Sequence, residues 1–226
     1  GNIAIQKATI LPDYVNSYDW ALMYNECQPG KAYTSDMLQK LKDGSDPDHF
    51  ANTNWAKEMF RTAVMHQHHL SVSGGSKTTH YMISAQYMDQ DGIMKNTANR
   101  RFNFRSNVDA QLGIVKVGLN LSGSRQTIYE PVNSVTGEGL MRTLTWFTRP
   151  TVPVQFSNGY YAYTDGNSAI SQSVFKNPIY NLYYGHKDNN HYRFDGQIFA
   201  EVNLYKGLKF RSSLSYKYYN NAVSTY

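Results

Sequence analysis

The sequence predicts an all-β, antiparallel fold, with short helices confined to one long connection near its start. Three observations carry this. Beyond His66, apolar side chains recur at every second position, the period of a strand with two unlike faces. When the last four such segments are sorted by alternate residues, nine charged side chains (Arg105, Asp109, Lys116, Arg193, Asp195, Glu201, Lys209, Arg211 and Lys217) fall on one face and none on the other. Chance would give that division about once in thirty tries, even with each register left free. The connections are also lopsided, very short ones alternating with long segments, of which 126–190 is the longest.

Composition narrows the class. The chain has 226 residues, of which 17% are charged and 41% hydrophobic, too apolar for a disordered tail. Aromatics make up 14%, with 19 Tyr against 10 Phe, a bias suited to surfaces that are apolar on one side and wet on the other. Cys27 is the single cysteine, which excludes an internal disulfide framework and the paired-cysteine zinc sites. Mean hydropathy is −0.57. No run approaches the ~18 apolar residues a membrane-crossing helix needs, which leaves a β-barrel open because barrel strands alternate. The net charge of +5 comes from scattered basic residues, which argues against a nucleic-acid partner. The opening Gly1-Asn2-Ile3, without Met or an apolar leader, and the Tyr-rich finish at Tyr226 read as an excerpt.

The elements follow in order. Asn16-Ser17-Tyr18-Asp19 is a capping cluster ahead of Trp20-Ala21-Leu22-Met23-Tyr24-Asn25, a short helix. Ser35 to Leu41 predicts a second, closed by Asp43-Gly44, and Asn54 to Phe60 a third; Asp43 to Asp48 between them is turn-rich. Strands follow. Leu70 and Val72 alternate with Ser71 and Ser73, and Tyr81, Ile83, Ala85 and Tyr87 share a face. Phe102, Phe104, Val108 and Ala110 oppose Asn103, Arg105, Asn107 and Asp109; Val115, Val117, Leu119 and Leu121 oppose Lys116, Asn120 and Ser122. After the long interruption, Tyr192, Phe194, Ile198, Ala200 and Val202 oppose Arg193, Asp195, Gln197 and Glu201. Finally Leu208, Phe210, Leu214, Tyr216 and Tyr218 oppose Lys209, Arg211, Ser213, Ser215 and Lys217. Two architectures give this pattern, a soluble antiparallel sheet packed on a core and a membrane barrel wall. Short turns at one end, long loops at the other and Tyr at strand ends favour the barrel.

An ordered set of segments then becomes recognisable. Leu70-Ser71-Val72-Ser73-Gly74-Gly75-Ser76, Tyr81-Met82-Ile83-Ser84-Ala85-Gln86-Tyr87, Asp89-Gln90-Asp91-Gly92-Ile93 and Arg100-Arg101-Phe102-Asn103-Phe104-Arg105-Ser106-Asn107-Val108-Asp109 together resemble the early barrel of the SusC/RagA family of TonB-dependent outer-membrane transporters. Gly1-Asn2-Ile3-Ala4-Ile5-Gln6-Lys7 resembles the first strand after the plug, and Lys206-Gly207-Leu208-Lys209-Phe210-Arg211 a later hairpin. The likeness is weakest between Pro131 and His186.

The resemblance implies a partial barrel, about seven strands of a 22-stranded wall, with the plug and the TonB-binding segment lying upstream and absent from this stretch. Its expected divisions are a first strand at 1–7, a helical extracellular loop at 8–66, strands over 67–125, a long extracellular loop at 126–190 and a strand hairpin at 191–226. It implies localisation in the outer membrane of a Gram-negative bacterium and TonB-dependent import of glycans or peptides. The implied partners are a SusD-like lipoprotein, the TonB complex, outer-membrane lipid and an oligosaccharide or peptide substrate, with no nucleic acid and no cofactor. The competing reading is a soluble β-sheet carbohydrate-binding module.

Candidate wall residues facing the lumen are Arg105, Asp109, Lys116, Arg193, Asp195 and Glu201, although pairing with neighbours or with a plug explains most such charges. Trp146, Phe147, Tyr160, Tyr161 and Tyr163 in the long loop, with Tyr183 and Tyr184 near its end, are candidates for stacking on sugar or packing on a lid, and equally for packing on one another. His66, His68 and His69 lack an acidic or thiol neighbour in sequence and predict no metal site. Asp89-Gln90-Asp91-Gly92 begins like a calcium loop, but Arg100 stands at the twelfth position, so a loop entry is expected. Gly74-Gly75-Ser76 is a hairpin rather than a phosphate cradle. No triad or carboxylate pair is spaced for catalysis, and the sequence requires no enzyme.

Overall fold

A computed structural model describes residues 1–28, 30, 33–132, 148–162, 177–205 and 207–226. Seven strands form one sheet in chain order: β1 (Asn2–Gln6), β2 (Ala63–Gly75), β3 (Thr79–Asp91), β4 (Ala98–Leu112), β5 (Val115–Pro131), β6 (His186–Tyr205) and β7 (Leu208–Thr225). Every neighbour is antiparallel and next in sequence, leaving β1 and β7 at the edges. At one end the strands join through two or three residues. Gly113 sits at φ +61° in the β4–β5 turn, a left-handed conformation that favours glycine. At the other end lie the connections 7–62, 92–97 and 132–185.

The strands run further towards the long connections than the alternation indicated. β5 continues to Pro131 and β6 begins at His186. In those extra stretches Gln126, Thr127, Asn189 and Asn190 put polar groups on both faces, so the period-two signal vanishes while the backbone ladder continues. The same extension carries Asp89 and Asp91 into the last turn-side residues of β3, with Gly92 entering the connection.

The helices form where the capping residues stand. α1 (Ser17–Cys27) is capped by Asn16, whose side chain accepts from the Asp19 amide at 2.9 Å. α2 (Ser35–Asp43) has Thr34 as its cap and ends at Gly44, in the left-handed region at φ +67°. α3 (Trp55–Met59) is capped by Asn54. The fourth helix, α4 (Pro178–Tyr183), lies in the second long connection and has Asn177 as its cap with Pro178 in its first turn.

The buried hydrophobic residues sit mainly in this loop layer. One cluster joins Trp55, Ala56 and Met59 of the first long connection to Val152, Ala162, Ile179 and Leu182 of the second. The other gathers Ala21, Tyr33, Leu41 and Phe50. Backbone and side-chain bonds stitch the two connections together: the Trp55 indole Nε1 donates to the Arg149 carbonyl at 2.8 Å, Thr53 Oγ1 to the Val152 carbonyl at 2.7 Å and Ser157 Oγ to Asp48 at 2.6 Å. Asn96, in the β3–β4 turn, donates to the Leu182 carbonyl at 2.6 Å, so all three connections meet.

Candidate functional site

Alternation and register divide the sheet into two faces. One carries Leu70, Val72, Ile83, Phe102, Phe104, Leu119, Ile198, Phe210, Leu214, Tyr216 and Tyr218, which the ladder sets side by side. Its large apolar side chains stand open, Ile198 at 60% exposure and Leu214 at 75%. Charge appears on this face only near the long connections, as Asp89, Asp91, Arg100, Arg125 and Asp188. The sequence pattern had given a charge-free face, and that holds for the segments that alternate but not for the extended strand ends. There, guanidinium groups lie over aromatic rings, Arg100 5.0 Å from the centre of Tyr129 and Arg125 5.7 Å from that of Tyr192.

The opposite face is polar and holds all six charged residues singled out as wall candidates. Near the tight turns, Asp109 meets Lys116 at 3.1 Å and His80 at 3.4 Å. Glu201 meets Lys209 at 3.2 Å and Arg211 at 3.7 Å, and the Arg211 guanidinium lies 4.2 Å over the Phe199 ring. That ring occupies the space a side chain on Gly118 would need, on the neighbouring strand. Higher up, Arg193 grips Asp195 through Nε at 2.7 Å and a second nitrogen at 3.4 Å, a forked contact. The Arg105 side chain has no hydrogen bond or ion pair among the described residues.

Three adjoining hollows run along this middle stretch, of about 630, 400 and 290 Å³. Arg105 and Asp195 line the first two, and Arg193 the first and third; Arg101 adds a further cation to the third. Sequence reasoning did not single out Arg101 or Lys217 as site residues, although both lie on the charged face by parity with Arg105 and Asp195. Amides and hydroxyls such as Asn103, Ser122, Ser124 and Gln126 make up much of the remaining lining, beside the imidazoles of His69 and His191 and the apolar Met82, Phe104 and Leu121. Such a surface binds polar groups through many exchangeable hydrogen bonds.

Among the loop aromatics, Trp146, Phe147 and Tyr163 lie outside the described residues. Tyr161 is half buried against the loop core, its ring 5.7 Å from that of Tyr180, while Tyr160 points outward at 75% exposure. Two of the three histidines come together, the rings of His66 and His68 lying 5.5 Å apart, and His69 falls on the opposite face. Among the described residues no three His, Cys, Asp or Glu side chains converge as metal ligands, and no helix is long and apolar enough to cross a membrane.

No protein-family model matches the chain. Three curated relatives do. It is 42% identical over 78 residues to TonB-dependent receptor P3 of Formosa agariphila, a stretch covering 34% of this chain and 8% of that protein. With TonB-dependent receptor SusC of Bacteroides thetaiotaomicron it shares 30% identity over 133 residues, 56% of this chain and 13% of the relative. With TonB-dependent receptor P26 of Formosa agariphila the figures are 26% over 172 residues, 76% and 16%. The matched stretch is thus less than a fifth of each relative. Among solved structures, a chain of the RagAB peptide importer in its open-open state superimposes with a TM-score of 0.70 and 20% identity, covering 99% of this chain and 27% of that one. A chain from a second RagAB peptide transporter structure gives 0.69 and 21%, covering 99% and 28%. The fold is therefore that of a stretch of barrel wall.

Proposed function

Because the chain is related to the SusC/RagA family of TonB-dependent receptors, we propose that it forms part of the wall of an outer-membrane importer whose apolar face meets lipid and whose polar face lines the lumen. One observation carries this reading: a sheet whose large apolar side chains stand open on one side while its ion pairs crowd the other. In water such a face is a liability, since soluble monomers rarely expose apolar patches beyond a few hundred Å². In a bilayer it is the required arrangement. From Phe194 to Leu204 β6 rises about 33 Å. At a barrel tilt of about 40° this is roughly 25 Å along the axis, the usual height of a lipid-facing band.

With the tight turns on the periplasmic side, the loop layer stands outside the cell, and the charged and aromatic upper rim of the apolar face falls at headgroup level. The loop layer, with Tyr160 exposed on it, is then the surface offered to a SusD-like lipoprotein and to incoming cargo, a glycan or a peptide. TonB acts through a plug in the whole protein rather than through this wall. The chain's own residues serve binding and passage, with no catalytic step.

The test is made on the full-length parent protein in its own cells. Deleting the gene is expected to abolish protonophore-sensitive uptake of a labelled oligosaccharide or peptide mixture, and a tagged parent is expected to fractionate with the outer membrane and bring down a lipoprotein. Undiminished uptake, with the tagged protein in the soluble fraction, would instead favour the carbohydrate-binding module.

A further inference from the structure

We propose that the upper rim of the apolar face carries a site for the phosphate group of an outer-leaflet lipid, formed by Arg61 and Arg100. The inference rests on the reading of this face as lipid-facing. It starts from a hollow of about 440 Å³ on that side of the sheet, where the strands meet the long connections. Asp91, Arg100, Tyr129 and His186 line it from the ends of four neighbouring strands, at positions that share the apolar face, and Arg61 and Tyr183 close it from the connections. Cargo in the lumen would pass on the other side of the sheet. Below the hollow, along β3 and β4, Tyr87, Phe102 and Phe104 continue the open apolar surface. The ligand that suits this position carries its charge at headgroup height with apolar chains beneath, which is the build of a membrane lipid.

The two guanidinium groups are held but not saturated. Arg61 donates through Nε to the Gly92 carbonyl at 3.1 Å and through Nη2 to the Thr97 carbonyl at 3.5 Å, with an Asp91 oxygen also 3.5 Å from Nη2. Arg100 reaches Asp89 through Nε at 3.4 Å and the Tyr129 hydroxyl through Nη1 at 3.3 Å, and lies 5.0 Å over the Tyr129 ring. These contacts are long beside the 2.7 Å between Arg193 and Asp195 on the polar face. They leave Arg61 Nη1 and Arg100 Nη2 without a partner among the described residues, on two side chains that line one hollow. A guanidinium already fixed along one edge offers its other edge at little further entropic cost, and its planar fork matches phosphate oxygens. The sign of the charge agrees. The lining sets two guanidinium groups and the His186 imidazole against one carboxylate, Asp91. Asp89 and Asp188 stand just outside it, the first shared between Arg100 and His66, the second 4.0 Å from His186. Because Arg61 and Tyr183 belong to the two long connections, the site is complete only when the loop layer is packed on the sheet.

Native mass spectrometry of the full-length parent, extracted from outer membranes and stripped of lipid in detergent, tests this with diphosphoryl lipid A, a phosphorylated glycolipid, as the probe. The wild type should bind it, and the Arg61→Gln/Arg100→Gln double variant should bind it about tenfold more weakly, the scale of one lost charged hydrogen bond. Arg100→Gln alone, which leaves the Arg61 contacts with the β3–β4 turn intact, should fall between the two. Lys209→Gln, at the tight-turn end of the other face, should bind as the wild type does. Dephosphorylated lipid A should not distinguish the wild type from the double variant. If the wild type binds no lipid A, or a double variant that remains a heat-modifiable barrel binds it equally, the proposal is overturned while the wall reading stands. Displacement of the lipid by an equal concentration of inorganic phosphate also overturns it, in favour of a free-anion site. A wild-type protein that is not a heat-modifiable barrel removes the wall reading, and the proposal with it.

Discussion

In the loop layer Trp55, Met59, Val152 and Leu182 turn away from water and pack on one another, whereas in the sheet Ile198, Phe210 and Leu214 stand in the open. The first arrangement is how a water-soluble protein hides apolar surface. The second is its inverse, and among the described sheet residues only Ala63, Met88 and Phe199 are buried hydrophobics. On the proposed reading, two solvents are thus written into one chain. Each half obeys the ordinary rules for its own surroundings, and neither predicts the behaviour of the other.

If this division is real, the halves should fail separately. The largest effect is expected from Trp55→Ala in the full-length protein, which removes a 3% exposed ring from the loop core and the indole bond to Arg149. The loss should be about 3–5 kcal/mol, confined to the loop layer. Limited proteolysis should then cut both long connections while heat-modifiability of the barrel persists; equal loss of the barrel would mean the layers are not separable. Leu119→Arg is the converse. A cation at mid-bilayer on the apolar face should cost about 2–4 kcal/mol and reduce outer-membrane assembly. Unchanged assembly and membrane association would remove Leu119 from the lipid face.

The smallest effect concerns acid. The carboxyl of Asp46 is held below its ordinary value, first by the His49 ring at 2.8 Å and then by the His49 charge. A lowered native value means the contact contributes fully above the usual carboxylate range and is lost as pH falls through the native value. Because the group is exposed, the contribution is small. Hydrogen exchange at the His49 and Phe50 amides should therefore stay slow down to the ordinary carboxylate range. Loss of protection at about pH 5 or 6, well above that range, would show that the Asp46 contact does not hold this turn.

The sheet was legible because period two survives wherever one face is apolar, and β7 shows it at its plainest: Leu208, Phe210 and Leu214 against Lys209, Arg211 and Lys217. It failed at the upper strand ends, where Asn189 and Asn190 are equally polar and only the hydrogen-bond ladder defines the strand. The helix α1 announced itself through the Asn16 cluster, α2 through Ser35 to Leu41 with the closing Asp43-Gly44, and α3 through Asn54 to Phe60, while the caps Thr34 and Asn54 came from the structure. α4 carried an equal signal in Asn177-Pro178, but it has only 6 residues inside a segment that otherwise offered no pattern. At the wall, parity placed Arg105 and Asp195 on one face. It could not tell that Asp195 belongs to Arg193 while Arg105 stands alone, since that depends on side-chain reach rather than spacing.

The bond from Trp55 to Arg149 spans 94 positions of chain and that from Ser157 to Asp48 spans 109, whereas three of the strand connections are only two or three residues long. Closing so long a loop on its own is entropically expensive. Once β2 to β6 have paired, the two connections are tethered within reach of each other and the cost has largely been met. The order of assembly is thereby set: hairpins first, loop layer last. On the proposed reading, a newly made wall would pass through a stage with its loop layer still unformed, and a surface offered to a lipoprotein would exist only after the sheet is complete.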